Sequence, residues 1–142
     1  MKLTIVAVGK LRSRALREVA DDYLGRLARY CRVEEIEVKS ERELLAVLPR
    51  DTRVVALEVD GKELSSTELA TSLERWGRHG KGDVAFVLGG AEGLGSAITE
   101  RADERLSLSR LTLPHRLARI VLLEQLYRGH TLLRGEPYAR ED

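Results

Sequence analysis

Short apolar runs recur along this chain with helical segments between them, and that alternation leaves few folds open. Leu3 to Val8 is a continuous apolar run, Val33 to Val38 is a second with acidic interruptions, Val54 to Val59 is a third and Val84 to Leu88 a fourth. All four read as strands. Between the first two, Leu16, Val19, Ala20, Tyr23, Leu24 and Leu27 fall at helical spacing with arginines and acids on the other face, the pattern of one amphipathic helix. A short helix is expected over Glu41 to Leu48, ended by Pro49, and the third strand is expected to stop at Asp60-Gly61. A longer helix begins near Ser65, whose spacing to Glu68 makes a capping box. Leu69, Leu73 and Trp76 line it, and Gly77, Gly80 and Gly82 close it. After a glycine-rich loop come a short helix, a strand at Leu106 to Leu108 and a last helix from about His115 to Leu133. Strands that alternate with helices and are mostly apolar on both faces predict an α/β fold, a parallel sheet flanked by helices on both sides.

The chain has 142 residues, 43% of them hydrophobic, which is enough for one compact core and predicts a single domain over residues 1–142. A lone cysteine, Cys31, rules out an intramolecular disulfide, and His79, His115 and His130 show no metal-ligand spacing, so no metal is expected. The N-terminal apolar run ends after Val8, too short for a signal-peptide core, and no window approaches the length of a membrane span. A cytoplasmic protein with no membrane partner is the expectation. Net charge is only +1, yet seven arginines lie between Arg105 and Arg140 against two acids, Glu124 and Glu136. Such asymmetry marks either a nucleic-acid-facing surface or a solvated helix face.

Two connections stand out, because ligands of open α/β sheets sit at the carboxyl ends of strands. The run from Leu88 to Gly95 packs Gly89, Gly90, Gly93 and Gly95 directly after a strand, where backbone must approach something closely or adopt positive φ. It is not a phosphate loop: Gly90 and Gly95 have the right separation, but Ser96 stands where the lysine belongs. Nor is it a dinucleotide fingerprint, since Gly93-x-Gly95 continues to Ile98 instead of glycine. A tight turn that binds nothing would also explain four glycines. The second connection, Leu106 to His115, alternates apolar with polar residues and then enters a helix at Pro114, a favourable first helical residue. An ordinary edge strand plus loop would look the same.

Taken with Leu122-Leu123-Glu124-Gln125-Leu126-Tyr127-Arg128 and Arg134-Gly135-Glu136-Pro137-Tyr138, these two segments resemble the RlmH-type members of the SPOUT methyltransferases. Those enzymes N3-methylate a pseudouridine in large-subunit ribosomal RNA. The resemblance covers essentially the whole chain, including Met1-Lys2-Leu3, Ala7-Val8-Gly9-Lys10 and Leu57-Glu58-Val59-Asp60-Gly61-Lys62. It implies a SPOUT-type fold with a C-terminal trefoil knot, and bent S-adenosyl-L-methionine held by three loops. It also implies a homodimer whose active sites borrow from the neighbouring subunit, and 23S rRNA in the assembled ribosome as substrate. Carried over residue by residue, cofactor binding falls on Leu57, Gly89, Leu108, Ser109, Arg110, Leu111, Thr112 and Leu113. Leucines can sandwich adenine while backbone groups read its edge, and Gly89 would let the cofactor lie against bare backbone.

Methyl transfer from a sulfonium is an in-line displacement that needs no metal, and holding the two reacting atoms in attack geometry supplies much of the catalysis. The target imide nitrogen must lose a proton, so a base or a stabilising cation is useful, and Tyr138, His115 and Arg140 are the candidates. For His115, capping or packing at a helix start is the competing role. Two departures from the family pattern stand out: Ala139 replaces the histidine that commonly follows the tyrosine, and the region between Val38 and Val54 is short.

The stripe Leu117, Ile120, Val121, Leu122, Leu123 and Leu126 is wider than one core needs, which also predicts a dimer. Arg110, Arg116, Arg119, Arg128 and Arg134 are candidates for RNA phosphate contacts, with one or two of them expected to pair with Glu124 or with carbonyls instead. Two other classes remain open at this stage: a non-catalytic ribosome- or RNA-binding protein, which would need no cofactor pocket, and a nucleotide-binding enzyme of flavodoxin-like or Rossmann type.

Overall fold

The structure, a computed structural model, describes residues 1–80 and 82–140. Its elements alternate as the apolar runs require: β1 (Lys2–Val8), α1 (Arg14–Leu27), β2 (Arg32–Val38), α2 (Glu41–Val47), β3 (Arg53–Glu63), α3 (Ser66–Gly77), β4 (Val84–Leu88), α4 (Ser96–Arg101), β5 (Glu104–Ser107) and α5 (His115–Leu133). A 3-10 turn, Pro137–Arg140, follows the last helix. The strands form one parallel sheet in the order β2-β1-β4-β3-β5.

Both faces of the sheet are covered. Leu3, Ile5, Val55, Val84 and Phe86 pack against apolar residues of α1, α3 and α5, while Val6, Val54, Ala56 and Val87 pack against Leu44 of α2 and Ile98 of α4. β4 is buried along its whole length, as the central strand of a two-sided sheet must be. Three helices start on serine caps. Ser13 accepts from the Leu16 N–H, Ser40 from Glu43, and Ser65 forms the full capping box with Glu68 that the sequence spacing anticipates. No helix among the described residues is long and apolar enough to cross a membrane.

Two boundaries differ from expectation, both on the side of the sheet that carries β5. β3 does not stop at Asp60-Gly61 but runs on to Glu63, because the pairing with β5 slips: Leu57 and Lys62 both stand opposite Leu106. The residues between them bulge out of the ladder, so the turn-like dipeptide lies inside a strand. A side chain at Gly61 would lie 2.8 Å from the Leu106 carbonyl carbon, which explains the glycine. β5 itself spans Glu104–Ser107, earlier than the expected Leu106 to Leu108, since Leu106 and Ser107 are its buried residues.

Candidate active site

The β3 bulge and the carboxyl ends of β4 and β5 open onto a cleft that is continuous with solvent. β3 contributes Leu57, Glu58 and Val59, and the end of β4 with its turn contributes Leu88, Gly89, Gly90 and Gly93. The segment after β5 contributes Leu108, Ser109, Leu111 and Leu113, and the first turn of α5 adds His115 and Ala118. Its walls combine apolar side chains with bare glycine backbone, the mix that small-molecule sites use.

The glycine turn has a different cause from the one its composition invites. Gly93 donates to the Gly90 carbonyl at 3.0 Å, and Gly93 holds a φ of 77°, which favours glycine. A Cβ on Gly89 would lie 2.4 Å from the Gly93 carbonyl oxygen. Gly89 is therefore required first by the turn folding back on itself, and only as a consequence presents backbone to the cleft. The turn is tied to the sheet's other face, where the Gly95 N–H donates to Glu41 of α2 at 2.8 Å.

The facing segment is pinned by its own serines. Ser107 Oγ donates to the Ser109 carbonyl at 3.0 Å, and the Leu111 N–H donates to Ser109 Oγ at 2.9 Å. This turn brings Leu108, Ser109, Leu111 and Leu113 to the cleft beside Leu57 and Gly89, while Arg110 and Thr112 are exposed and do not line it. Leu111 is 76% exposed, an apolar side chain standing in water at the rim. Pro114 occupies the N-cap, one position before the first helical residue, which is His115.

Of the candidates for proton chemistry, His115 and Tyr138 do not meet within one chain. His115 lines the cleft. Tyr138 packs instead on Tyr127, ring centroids 4.6 Å apart and nearly perpendicular, and its hydroxyl donates to Glu124 Oε2 at 2.8 Å with Tyr23 Oη at 3.3 Å. At about 1.5 Å per residue, Glu124 lies roughly 13 Å along the α5 axis from His115. Burial, together with the hydrogen bonds to Tyr23 and Glu124, pushes the Tyr138 hydroxyl well above its ordinary value, so it stays protonated. The side chain of Arg140 lies outside the described residues.

The arginine-rich segment also divides. Arg119 is 1% exposed and is no RNA contact: it donates to Glu35 at 3.1 Å, to Glu37, and to the Gly9 carbonyl at 3.0 Å. Arg17 joins the same acids, at 2.5 Å from Glu35. Arg128 pairs with Glu124 at 2.9 Å, and Arg134 lies 4.9 Å from the Tyr30 ring centre. Arg110 and Arg116 are exposed.

Two features lie outside the sequence expectations. Arg119 stands three, four and seven positions before Leu122, Leu123 and Leu126, so helical periodicity places it on the buried face. The Tyr23, Tyr30, Tyr127 and Tyr138 cluster joins α1, α5 and the final turn across more than a hundred residues, and no local pattern announces it.

The family model described as "Predicted SPOUT methyltransferase" matches residues 1–139, and the chain belongs to that family. Its relatives include Ribosomal RNA large subunit methyltransferase H of Sorangium cellulosum (strain So ce56), 51% identical over 144 residues, covering 98% of this chain and 99% of the relative. The enzyme of the same name in Bacillus thuringiensis (strain Al Hakam) is 43% identical over 157 residues, with 97% and 99% covered. Two more distant structures share the fold. A probable methylase family protein from Haemophilus influenzae Rd KW20 has a TM-score of 0.57 at 9% identity, covering 96% of this chain and 69% of that one. TrmJ from Z. mobilis ZM4 has a TM-score of 0.57 at 13% identity, covering 92% and 70%.

Proposed function

We propose that this chain is a cytoplasmic S-adenosylmethionine-dependent rRNA methyltransferase that methylates N3 of a pseudouridine in 23S rRNA, with the assembled ribosome as substrate. One observation carries the reading: the β3 bulge, the turn after β4 and the segment after β5 converge on one apolar cleft edged by glycine backbone. Family membership and the names of its full-length relatives supply the substrate class.

When bound, S-adenosylmethionine supplies a methyl group activated by a sulfonium. Leu57, Leu108, Leu111 and Leu113 suit the flat faces of adenine, and the backbone of Gly89 and Ser109 offers N–H and C=O groups for its edge. His115, on the cleft wall, is the residue of this chain best sited to accept the proton that the imide nitrogen loses. Tyr138 reaches such a site only from a second copy, so the functional unit is a homodimer whose clefts are completed in trans. Leu117 at 44% and Leu111 at 76% exposure, beside half-buried Val121, leave apolar surface for that copy to cover. Of the five arginines expected to contact RNA, Arg110, Arg116 and Arg134 are exposed and so available to phosphates.

Ribosomes from cells lacking the protein, incubated with it and S-adenosylmethionine, are expected to gain one methyl group on a pseudouridine of 23S rRNA by mass spectrometry. An unchanged modification pattern would remove the proposal, and sedimentation as a monomer at micromolar concentration would remove its dimeric form.

A further inference from the structure

Glu58 is the one carboxylate among the described residues that line the cleft, and no lysine or arginine joins it there. Its side chain is 11% exposed and held from two elements: Thr99 Oγ1 of α4 donates to Oε1 at 2.8 Å, and Arg105 Nε of β5 donates to Oε2. Arg105 also bonds Asp60 at 3.0 Å, so two acids share one cation and the trio retains a net negative charge. Arg105 is 41% exposed and Asp60 82%, so water screens those two charges more than it screens Glu58. A surface ion pair alone would not require the acid to line the cleft.

We infer that Glu58 sets the cleft's preference for the cationic, methyl-bearing form of its cofactor over the neutral thioether that remains after transfer. The inference rests on the cofactor reading above and adds a specificity-determining residue to it. Transfer to the imide nitrogen removes the sulfonium charge, because the electron pair of the breaking carbon–sulfur bond stays on sulfur while the nitrogen's proton passes to a base. A fixed negative charge at the cleft wall therefore attracts the incoming cofactor more than the spent one, and favours exchange of one for the other after each turnover. Because the carboxylate is oriented by Thr99 and Arg105 before any ligand arrives, the charge needs no reorganisation to act.

Calorimetric titration of the full chain with S-adenosylmethionine and with S-adenosylhomocysteine tests this. The wild type should prefer the methylated form, and Glu58→Gln should cut that preference on the order of tenfold, mainly by weakening binding of the cation. Arg105→Gln, which leaves Glu58 and Asp60 uncompensated, should change the preference in the opposite direction and raise it. Equal weakening of both ligands by Glu58→Gln would mean a charge-independent hydrogen bond and would overturn the inference, as would an unchanged ratio. If Glu58→Gln proves unfolded by thermal melt, the Arg105→Gln arm decides, and a ratio that stays level or falls overturns it. A wild type that binds neither ligand marks failure of the cofactor reading itself.

Discussion

The two ends of α5 are built on different physics. At its start, His115 and Ala118 line the cleft and Arg119, one turn in, is locked by Glu35, Glu37 and the Gly9 carbonyl into the ends of β1 and β2. Towards its end, Tyr127 and His130 sit in an aromatic cluster with Tyr23, Tyr30 and Tyr138, flanked by the guanidinium groups of Arg26, Arg128 and Arg134 and by hydroxyl–carboxylate bonds such as Tyr30 to Glu136 at 2.6 Å. A buried charge network fixes position sharply, because any shift leaves an ion unpaired in a poor solvent for ions. Aromatic packing holds area with looser geometry. The end that shapes the cleft is thus the rigidly registered one, and the end that carries Tyr138 is held by broader aromatic contact.

The largest test of that contrast is Arg119→Met. Removing the guanidinium leaves Glu35 and Glu37 close together with only Arg17 between them, and should cost about 3–5 kcal/mol in chemical denaturation. A loss under 1 kcal/mol, on the order of an exposed pair, would show that the network does not fix the helix.

At the other end, Tyr138→Phe removes hydroxyl bonds but keeps the ring, so a loss of about 1 kcal/mol is expected. Cofactor binding should be unchanged while methyl transfer falls, which separates a role in trans from a packing role. Transfer at the wild-type rate would confine Tyr138 to the cluster.

The smallest effect is the pH dependence, and it distinguishes the two ends. Burial, with help from Arg134, holds the His130 imidazole below its ordinary value, and its Nε2 has no hydrogen-bond partner where it stacks on Tyr30. The unfolded chain therefore binds the proton more readily. This contribution is complete above about pH 6.5 and is lost as pH falls from there through the folded value. Burial alone would raise the Glu37 carboxyl, but hydrogen bonds from Arg119 and the Leu11 N–H, with the charge of Arg17, outweigh it and hold it below the usual range. Its contribution is present above about pH 4.3 and is lost as pH falls through the folded value. Thermal melts should show a first decline below about pH 6.5 that His130→Gln flattens, and a second, more acidic one that it does not.

The sheet and its helices were legible because each strand is a short apolar run and each helix a repeated stripe. Ser65 with Glu68 even announced a capping box that forms. What local pattern misread depends on partners distant in sequence. Asp60-Gly61 looks like a strand end, and becomes a bulge only because β5 pairs on both sides of it. The segments around Gly89 and from Leu108 to Leu113 were visible as loops, but the reason for Gly89 lies in the Gly93 carbonyl that the folded turn brings against it. Glu58 stands in plain view within the Leu57 to Lys62 segment, yet its carboxylate is held by Thr99 and Arg105, which only the fold brings to it.

The most direct measurement of the central claim is transfer of a labelled methyl group from S-adenosylmethionine to 23S rRNA in ribosomes that lack the modification. The account predicts label at a single pseudouridine, retained on N3 after nuclease digestion. Absence of label from RNA under conditions where calorimetry shows the cofactor bound would contradict it.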